Sequence, residues 1–407
     1  MRVVVTGAEG FLGWHLRALL LTVPDCEVVP VGRSRWTRDA LTAAVSGADV
    51  VFHLAGINRA GAHDVEHGNI ALAEQLVQAL NTAGAGGPGG KGGAAASPPV
   101  VVSSGSTQAR LDVPYGRGKR IAAERLAQWA GRVGAAAVDV RFPGLFGEHG
   151  RPAYNSFVAT FADRIAGGGL PEIENDRELP LLHVHEAARI LVDVSRERHT
   201  RIVEPDAHPV RISHVARLLE RYHAAYGGSD GSTSVGGGGP VTPDPGTRDP
   251  GCGDIPELGS PFEVALFNTY RAALWSRRPV IPRTPRSDRR GTLVESVRMH
   301  GGQGQTFVST THPGFVRGEH FHFRKIERFQ VVHGTALIRL RKLFEPVSAV
   351  QTYEVSGARP CAIDMPTLWT HSIENIGTCD LTTLFWTSEL FDPADPDTYP
   401  HPVLQET

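Results

Sequence analysis

Residues 2–13 read RVVVTGAEGFLG, an apolar run that leads directly into a turn with three glycines spaced three residues apart. A strand that passes through small residues into a helix lets the backbone approach a pyrophosphate, and the N–H groups of the helix N-terminus stabilise the phosphate charge. The stretch therefore predicts a dinucleotide-binding unit. Its predicted cofactor contacts are Gly7, Gly10, Phe11, Leu12 and Gly13.

Short apolar runs continue this pattern and alternate with helical stretches such as Leu12–Leu21 and Asn69–Leu80. Such alternation is typical of βαβ units and predicts an α/β domain with a Rossmann-type parallel sheet. The predicted strands are Arg2–Thr6, Glu27–Val31, Asp49–His53, Val100–Ser103 and Ala137–Arg141.

From about residue 290 the chain changes to short β-rich runs with turn signals, which predict an all-β sandwich or small barrel. The stretch VIPRTPRSDRR at 280–290 separates the two patterns, so we place the domains at 1–285 and 286–407. The predicted strands of the second domain are Glu295–Met299, Thr306–Thr310, Phe329–Val332, Ala336–Leu340 and Leu381–Trp386.

Two glycine-rich tracts, 83–99 and 227–253, interrupt the first domain. Their composition offers too little apolar surface to offset chain entropy, so we interpret both as mobile surface insertions. The first tract precedes the strand VVVSS without breaking the alternation.

The overall composition is that of an ordinary globular protein, with 41% hydrophobic and 21% charged residues over 407 positions. A formal net charge of -2 provides no field that would gather nucleic acid or an anionic membrane. The four cysteines form no CxxC pair, and no apolar run nears the roughly 18 residues that cross a bilayer. The chain also begins with a strand rather than with a signal peptide. We therefore expect a cytoplasmic protein with no nucleic-acid or membrane partner.

The second predicted strand ends at VGRSR, where an NAD-specific Rossmann protein would usually carry an acidic residue for the ribose 2'-hydroxyl. Arg33 lies in this region, and a guanidinium matches a 2'-phosphate, so NADPH is favoured over NADH. The alternative is a solvated arginine, and Arg35 could take the place of Arg33. The third strand ends in small residues suited to pass beneath a cofactor, Leu54, Ala55 and Gly56.

The sequence PYGRGK places Tyr115 and Lys119 four residues apart, on one face of a helix. A phenol with an ordinary pKa near 10 is a poor acid–base group at neutral pH, and a neighbouring ammonium favours the phenolate and lowers that pKa. Ser104, or Ser103 in its place, could hydrogen-bond a substrate carbonyl. These residues predict an acid–base site beside the nicotinamide cofactor.

The motifs TGAEGFLG, VVSSGS, PYGRGK and RFPGLFG resemble the extended short-chain dehydrogenase/reductase family over residues 1–285. The resemblance implies that Ser104, Tyr115 and Lys119 have the family's catalytic roles and that Tyr115 and Lys119 contact the cofactor. The chain departs from the family at Gly118, where a Ser or Ala is common. It also lacks the family's Asn at 143–144.

The second domain carries PGFVRGEHFHFRKIERFQVVHG and PTLWTHSIEN. Two histidines at i and i+2 point the same way from one strand, and a glutamate from the adjoining strand can meet them. Three histidines and a carboxylate suit a divalent transition metal, with the choice among Zn, Mn, Fe and Ni left open and Zn taken first. A metal-free acid–base site is the alternative. The predicted ligands are His320, His322, Glu327 and His371.

This spacing resembles both cupin motifs over residues 290–400, with Leu368 where the second motif often has Gly. The order of the two domains, with RPAYNS, HPGFVRGEHFH, ERFQVVHGTALIR, THSIEN and FDPADPDTYP, resembles the CapF-type bifunctional enzymes of capsular polysaccharide synthesis. The predicted fold is thus a Rossmann-type parallel sheet followed by an all-β cupin barrel.

The resemblance implies a UDP-linked 2-acetamido-2,6-dideoxy-4-keto-hexose as substrate and a homodimer. The cupin would epimerise C3, with Lys325 and the histidine cluster as candidate acid–base groups, and the reductase would then reduce C4 with NADPH. The product would be UDP-2-acetamido-2,6-dideoxy-L-talose, on the route to UDP-N-acetyl-L-fucosamine. Two alternatives stay open: a reductase with a structural cupin for dimerisation, and an NADPH-sensing regulatory protein without turnover.

Overall fold

The structure is a computed structural model that describes residues 1–85, 97–227, 253–289 and 291–405. Most of the two predicted glycine-rich insertions, 83–99 and 227–253, lies outside these residues. Over the part of the chain described, no helix is long and apolar enough to cross a membrane.

The chain forms two compact units, one of Met1–Phe146 with Glu178–Val210 and the other of Gly147–Arg177 with Arg211–Thr407. The segment 211–285 is thus grouped with the C-terminal strands. The boundary between sequence domains after residue 285 stays a prediction. The described α-helices are α1 (Phe11–Leu20), α2 (Arg38–Val45), α3 (Ala62–Ala85), α4 (Pro114–Val133), α5 (Phe157–Ala166), α6 (Val184–Val194), α7 (Ile212–Tyr222) and α8 (Pro261–Leu274).

The described strands fall into sheets that differ between the two units. Those of the first unit are β1 (Arg2–Thr6), β2 (Glu27–Val31), β3 (Val50–His53), β4 (Val100–Ser106), β5 (Ala137–Phe142), β6 (Gly144–Phe146), β7 (Glu178–His183), β8 (Arg201–Val203) and β9 (His208–Arg211). Those of the second are β10 (Ile281–Pro282), β11 (Arg286–Asp288), β12 (Gly291–Leu293), β13 (Gln305–Thr311), β14 (Val316–Phe321), β15 (Glu327–His333), β16 (Thr335–Lys342), β17 (Gln351–Ser356), β18 (Cys361–Met365), β19 (Trp369–Asn375), β20 (Leu381–Thr387) and β21 (Tyr399–Pro400).

The main sheet of the first unit has the order β2-β1-β3-β4-β5-β8, and every pair is parallel. Val3, Val4 and Val5 of β1 are all fully buried. Because helices cover both faces of such a sheet, its strands have continuous apolar runs in the sequence. Helices α1 and α6 pack on one face, and α2, α3 and α4 on the other. The strand order reverses between β1 and β3, which is where such sheets bind ligands.

Helix α4 carries the predicted Tyr–Lys pair, and its ends are set by residue type. Pro114 lies in the first turn, where its missing N–H removes no helical hydrogen bond. Gly134 ends the helix with φ of 70°, a conformation that costs glycine little. Between them, Ala122, Leu126 and Trp129 share a buried face against the sheet. This packing fixes the rotation of the helix.

The second unit combines helices α5, α7 and α8 with two five-stranded antiparallel sheets, ordered β10-β18-β15-β20-β13 and β17-β16-β19-β14-β21. Apolar side chains from both sheets share one core that includes Phe329, Ile338, Ile363, Ile373 and Phe385. The predicted all-β fold is confirmed.

The predicted strand Glu295–Met299 is wrong. Strand β12 ends at Leu293 in a hairpin with β11, and within 295–299 only Met299 forms a bridge, with Ile255. The composition of this segment is typical of a strand, but no neighbouring strand pairs with it along its length. Without a ladder of hydrogen bonds the segment forms no strand.

A buried ion pair joins strands β15 and β18 at the edge of this core. Arg328 and Asp364 are 1% and 2% exposed, and their Nε and Oδ1 atoms are 2.5 Å apart. Tyr226 donates a further hydrogen bond of 2.9 Å to Asp364 Oδ2. Removal of one partner leaves an uncompensated buried charge.

We predict that Asp364→Ala lowers the free energy of unfolding by about 3–5 kcal/mol, because Arg328 is then left buried without its counter-charge. Asp163→Ala is the matched control, since its 2.9 Å pair with Arg277 is 40% exposed on both sides and is worth about 0–1 kcal/mol. Urea unfolding followed by circular dichroism measures both. A loss under about 1 kcal/mol for Asp364→Ala would contradict the assignment.

Candidate active sites

The glycine turn between β1 and α1 is possible only with glycine at two positions. Gly7 has φ of 66°, and a Cβ there would lie 2.7 Å from the backbone N of Ala55. A Cβ on Gly13 would lie 2.2 Å from the carbonyl oxygen of Gly7. Gly10 precedes the first residue of α1 and donates a 2.9 Å hydrogen bond to Gly7 O. The turn therefore packs tightly against the end of β3.

The segment after β3 is held by Thr6, at the end of β1. Leu54 N donates to Thr6 O and Ala55 N to Thr6 Oγ1, both at 3.3 Å. Thr6 Oγ1 also lies 3.0 Å from Nδ1 of the buried His53. Burial, together with the positive charge of Lys119, lowers the pKa of His53 to about 3, so this imidazole is neutral. The predicted contacts on β1, α1 and β3 are thus brought together.

Arg33 is exposed in a short 3-10 turn directly after β2. The preceding Gly32 leaves room for the Glu9 carboxylate, because a Cβ on Gly32 would lie 2.3 Å from Glu9 Oε1. The end of β2 therefore carries both a basic and an acidic group. Sequence reasoning named Arg33 and missed Glu9, which comes from the glycine turn.

Lys119 and Tyr115 lie on one face of α4, as predicted. The buried Lys119 ammonium donates a 2.9 Å hydrogen bond to Ser104 O and lies 5.9 Å from the centre of the Tyr115 ring. Burial lowers the pKa of Lys119 to about 8, and the Asp139 carboxylate opposes this shift. Burial raises the pKa of the Tyr115 phenol, and a hydrogen bond with Ser106 offsets part of the rise. The prediction that the neighbouring ammonium lowers this pKa is therefore wrong, because burial dominates.

The second unit holds a cluster of four potential metal ligands, in which one atom from each side chain lies within 4.8 Å of the others. His320 on β14 faces His371 on the neighbouring β19 in register. His322 follows the end of β14, and Glu327 begins β15. The expectation that glutamate comes from the adjoining strand is wrong: β15 belongs to the other sheet. The site therefore requires both sheets.

Glu327 is the centre of this cluster. Its Oε2 atom lies 3.1 Å from His322 Nε2, 3.3 Å from His371 Nε2 and 3.9 Å from His320 Nε2. Burial raises the pKa of Glu327, but the three neighbouring imidazoles outweigh burial and hold the pKa well below its ordinary value. Burial lowers the pKa of His371 to about 4.

The four side chains fit a divalent cation. Nδ1 of His322 lies 2.6 Å from Asp397 O, and Nδ1 of His371 lies 3.3 Å from Trp369 O. Backbone acceptors at Nδ1 leave the Nε2 lone pairs directed inwards, as in metal-binding histidines. Nε2 of His371 is buried and makes no hydrogen bond among the described residues. A metal would satisfy this atom.

Comparison with known proteins identifies the families that the two halves of the chain resemble. Residues 3–204 match the NAD dependent epimerase/dehydratase family, and residues 286–399 match the polysaccharide biosynthesis C-terminal domain. The chain is 30% identical over 401 residues to the UDP-2-acetamido-2,6-beta-L-arabino-hexul-4-ose reductase of Pseudomonas aeruginosa, with 98% of each chain covered.

Solved structures give the same result over the whole chain. The capsular polysaccharide assembling protein CapF from Staphylococcus aureus is 29% identical with a TM-score of 0.56, covering 99% of this chain and 100% of that one. CapF with the inhibitor 3-isopropenyl-tropolone is 27% identical with a TM-score of 0.52 and the same coverage. The chain belongs to the CapF family. The predicted resemblance and fold class are confirmed, and the protein is a nicotinamide-dependent oxidoreductase.

Two polar residues near the reductase site of this CapF-family chain were missed in the sequence. A hydrogen bond with Ser106 lowers the pKa of Tyr115, whereas Ser103 donates to Asp139 Oδ1 at 3.2 Å. Ser104 and Ser106 are two residues apart on β4, so the alternation of a strand allows either to face the helix. Asp139 is 7% exposed and also accepts from Arg141 Nε at 3.0 Å. The sequence feature that could have indicated Asp139 is a carboxylate within an otherwise apolar strand.

Two of the three departures from the family motifs, at Gly118 and Leu368, have a local explanation. A Cβ on Gly118 would lie 2.8 Å from Glu66 O, so glycine allows helices α3 and α4 to approach closely. Leu368 has φ of 65°, the conformation that makes glycine common at this cupin position. Leu368 is nevertheless buried, and its N donates a 2.8 Å hydrogen bond to His322 O. It therefore holds the backbone of the candidate ligand His322.

The predicted catalytic Lys325 is buried, and its ammonium donates to two groups of the C-terminal segment. These are Pro396 O at 3.1 Å and Thr398 Oγ1 at 2.9 Å. A role for Lys325 in proton transfer stays a prediction.

Proposed function

We propose that this CapF-family protein converts a UDP-linked 2-acetamido-2,6-dideoxy-4-keto-hexose in two steps, epimerisation at C3 in the cupin and NADPH-dependent reduction at C4. The product is UDP-2-acetamido-2,6-dideoxy-L-talose, on the route to UDP-N-acetyl-L-fucosamine for capsular polysaccharide. The observation that carries the proposal is the presence of two separate acid–base sites in one chain, the Tyr115–Lys119 pair and the four-residue cluster around Glu327. The name of the Pseudomonas relative supports the substrate class.

In the reductase, NADPH supplies hydride to C4 of the sugar when it is bound. Tyr115 gives its phenolic proton to the forming alkoxide, and its raised pKa keeps it protonated at neutral pH. Lys119 holds the cofactor ribose and stabilises the phenolate that remains. Ser104 or Ser106 donates a hydrogen bond to the C4 oxygen.

In the cupin, epimerisation depends on the C4 ketone, because that carbonyl acidifies the hydrogen on C3. A base removes the proton, and a second group returns one to the opposite face. Positioned groups of this kind contribute roughly 10²- to 10⁴-fold each. A divalent metal, with zinc as first choice, would be held by His320, His322, Glu327 and His371 and would stabilise enolate charge. Epimerisation therefore precedes reduction, and Lys325 is the proposed partner of the histidines in proton transfer.

We predict that the protein incorporates deuterium at C3 from heavy water without NADPH, and that His371→Ala abolishes this exchange. Tyr115→Phe should retain the exchange and lose NADPH oxidation by about 10²-fold or more, because only the proton donor is removed. His312→Ala is the control, since this histidine is 75% exposed. NMR of the sugar nucleotide and absorbance of NADPH measure the two steps.

The outcome also separates the alternatives. NADPH oxidation with unchanged C3 stereochemistry in His371→Ala would favour a reductase with a structural cupin. No NADPH oxidation by the unaltered protein with a 4-keto sugar nucleotide would favour a regulatory protein without turnover.

The choice of NADPH depends on Arg33, with Glu9 acting against it. We predict that Arg33→Ala lowers kcat/KM for NADPH roughly 10- to 100-fold, the value of a charge-assisted hydrogen bond of about 1.5–3 kcal/mol. The kcat/KM for NADH should stay within about twofold, since the 2'-hydroxyl offers no charge to a guanidinium. Arg35→Ala tests the alternative that Arg35 takes the place of Arg33. Equal losses with both coenzymes would assign Arg33 to another role.

We further propose a homodimer formed through strand β13, which is one of the two edge strands of its sheet. Phe307 and Val308 on this strand are 40% and 63% exposed. An apolar edge strand is a ready template for pairing with another chain, and a second copy presents the same edge. Val308→Lys should shift the protein from dimer towards monomer in sedimentation velocity. An unaltered protein that sediments as a monomer at micromolar concentration would contradict the proposal.

A further inference from the structure

Asp397 lies in the C-terminal segment and is fully buried. Its carboxylate accepts three backbone hydrogen bonds, from Phe323 N to Oδ1 at 3.0 Å, from Arg324 N to Oδ2 at 3.0 Å and from Lys325 N to Oδ2 at 2.7 Å. Residues 323–325 lie in the four-residue connection, 323–326, between the two candidate ligands His322 and Glu327. The carboxylate of Asp397 therefore holds the chain on which both ligands are mounted.

The backbone of Asp397 contacts one of those ligands directly. Its carbonyl oxygen lies 2.6 Å from Nδ1 of His322, whose Nε2 faces Glu327 at 3.1 Å. A proton on Nδ1, donated to this carbonyl, sets the tautomer in which Nε2 carries the lone pair. Asp397 has φ of 43°, a conformation that aspartate tolerates better than most residues other than glycine. This backbone conformation of Asp397 brings its carbonyl oxygen within hydrogen-bond distance of the His322 imidazole.

Lys325 adds hydrogen bonds from the loop 323–325 back to the C-terminal segment. Its ammonium donates to Pro396 O and Thr398 Oγ1, the residues on either side of Asp397. The loop 323–325 and the segment 396–398 are consequently joined by hydrogen bonds from both partners. A C-terminal residue distant in sequence from the ligands fixes their geometry.

We propose that Asp397 is a positioning residue of the metal centre, which sets the orientation of His322 and the path of the chain from His322 to Glu327. This inference rests on the proposed metal site. Outer-shell partners of metal-binding histidines typically change metal affinity 10- to 100-fold when they are removed. Asp397 combines such a contact with a triple backbone cap, so its loss should move both ligands.

The test is Asp397→Gly, which keeps the backbone carbonyl and the positive φ and removes only the carboxylate. We expect the dissociation constant for Zn²⁺ to rise roughly 10- to 100-fold in competition with a chromophoric chelator. The visible spectrum of the Co²⁺-loaded protein should also change, because it reports the geometry of the ligands. Asp392→Ala is the matched control, since this aspartate lies in the same segment, is exposed and accepts a hydrogen bond from Ala394 N.

A purely structural role would lower the thermal midpoint of the metal-free protein and leave the Zn²⁺ affinity and the Co²⁺ spectrum of the folded variant unchanged. That result would overturn the proposal. If Asp397→Gly does not fold, Asp397→Asn keeps one acceptor oxygen and should show a smaller loss of affinity in the same direction. An unaltered protein that binds neither Zn²⁺ nor Co²⁺ would instead refute the metal site itself.

Discussion

The Glu327 carboxylate is buried among three imidazoles, and the arrangement of the second unit depends on that burial. An ionised carboxylate removed from water is costly unless hydrogen-bond donors or a cation surround it. His320 and His371 come from neighbouring strands of one sheet, whereas Glu327 begins a strand of the other. The cluster therefore forms only when the two sheets are packed face to face, and packing and chemistry are coupled. The loop 323–325 and the C-terminal segment complete the same enclosure.

In the first unit the buried charge is a cation, the Lys119 ammonium, and it needs acceptors rather than donors around it. Burial makes the Lys119 ammonium easier to deprotonate, and the Asp139 carboxylate on a nearby strand works against this. Lys119 also has the Ser104 carbonyl as an acceptor. A neutral His53 below it adds no second positive charge. The result is a lysine whose pKa lies close to the working range of the reaction, next to a tyrosine that retains its proton.

Close backbone approaches explain why particular residues cannot vary in this fold. Gly13 and Gly118 each occupy a place where a Cβ would meet a backbone atom of another segment. Leu368 shows that a residue other than glycine can also occupy a restricted position, at the cost of backbone strain. This buried leucine adopts a positive φ directly before the ligand strand β19. These positions connect local conformation to the placement of the sites more directly than the apolar core does.

The sequence alone determined the parallel sheet and predicted the candidate ligand set and the Tyr115–Lys119 pair, because these depend on local periodicity and spacing. Strands β1 and β2 have the predicted bounds, as buried parallel strands are marked by uninterrupted apolar runs. Tertiary structure decided the rest. Whether Glu295–Met299 formed a strand depended on a partner, and which sheet supplied Glu327 depended on the connection between strands. The contacts of Ser106, Asp139 and Asp397 arise between segments distant along the chain, and such hydrogen bonds leave no periodic signal in a sequence.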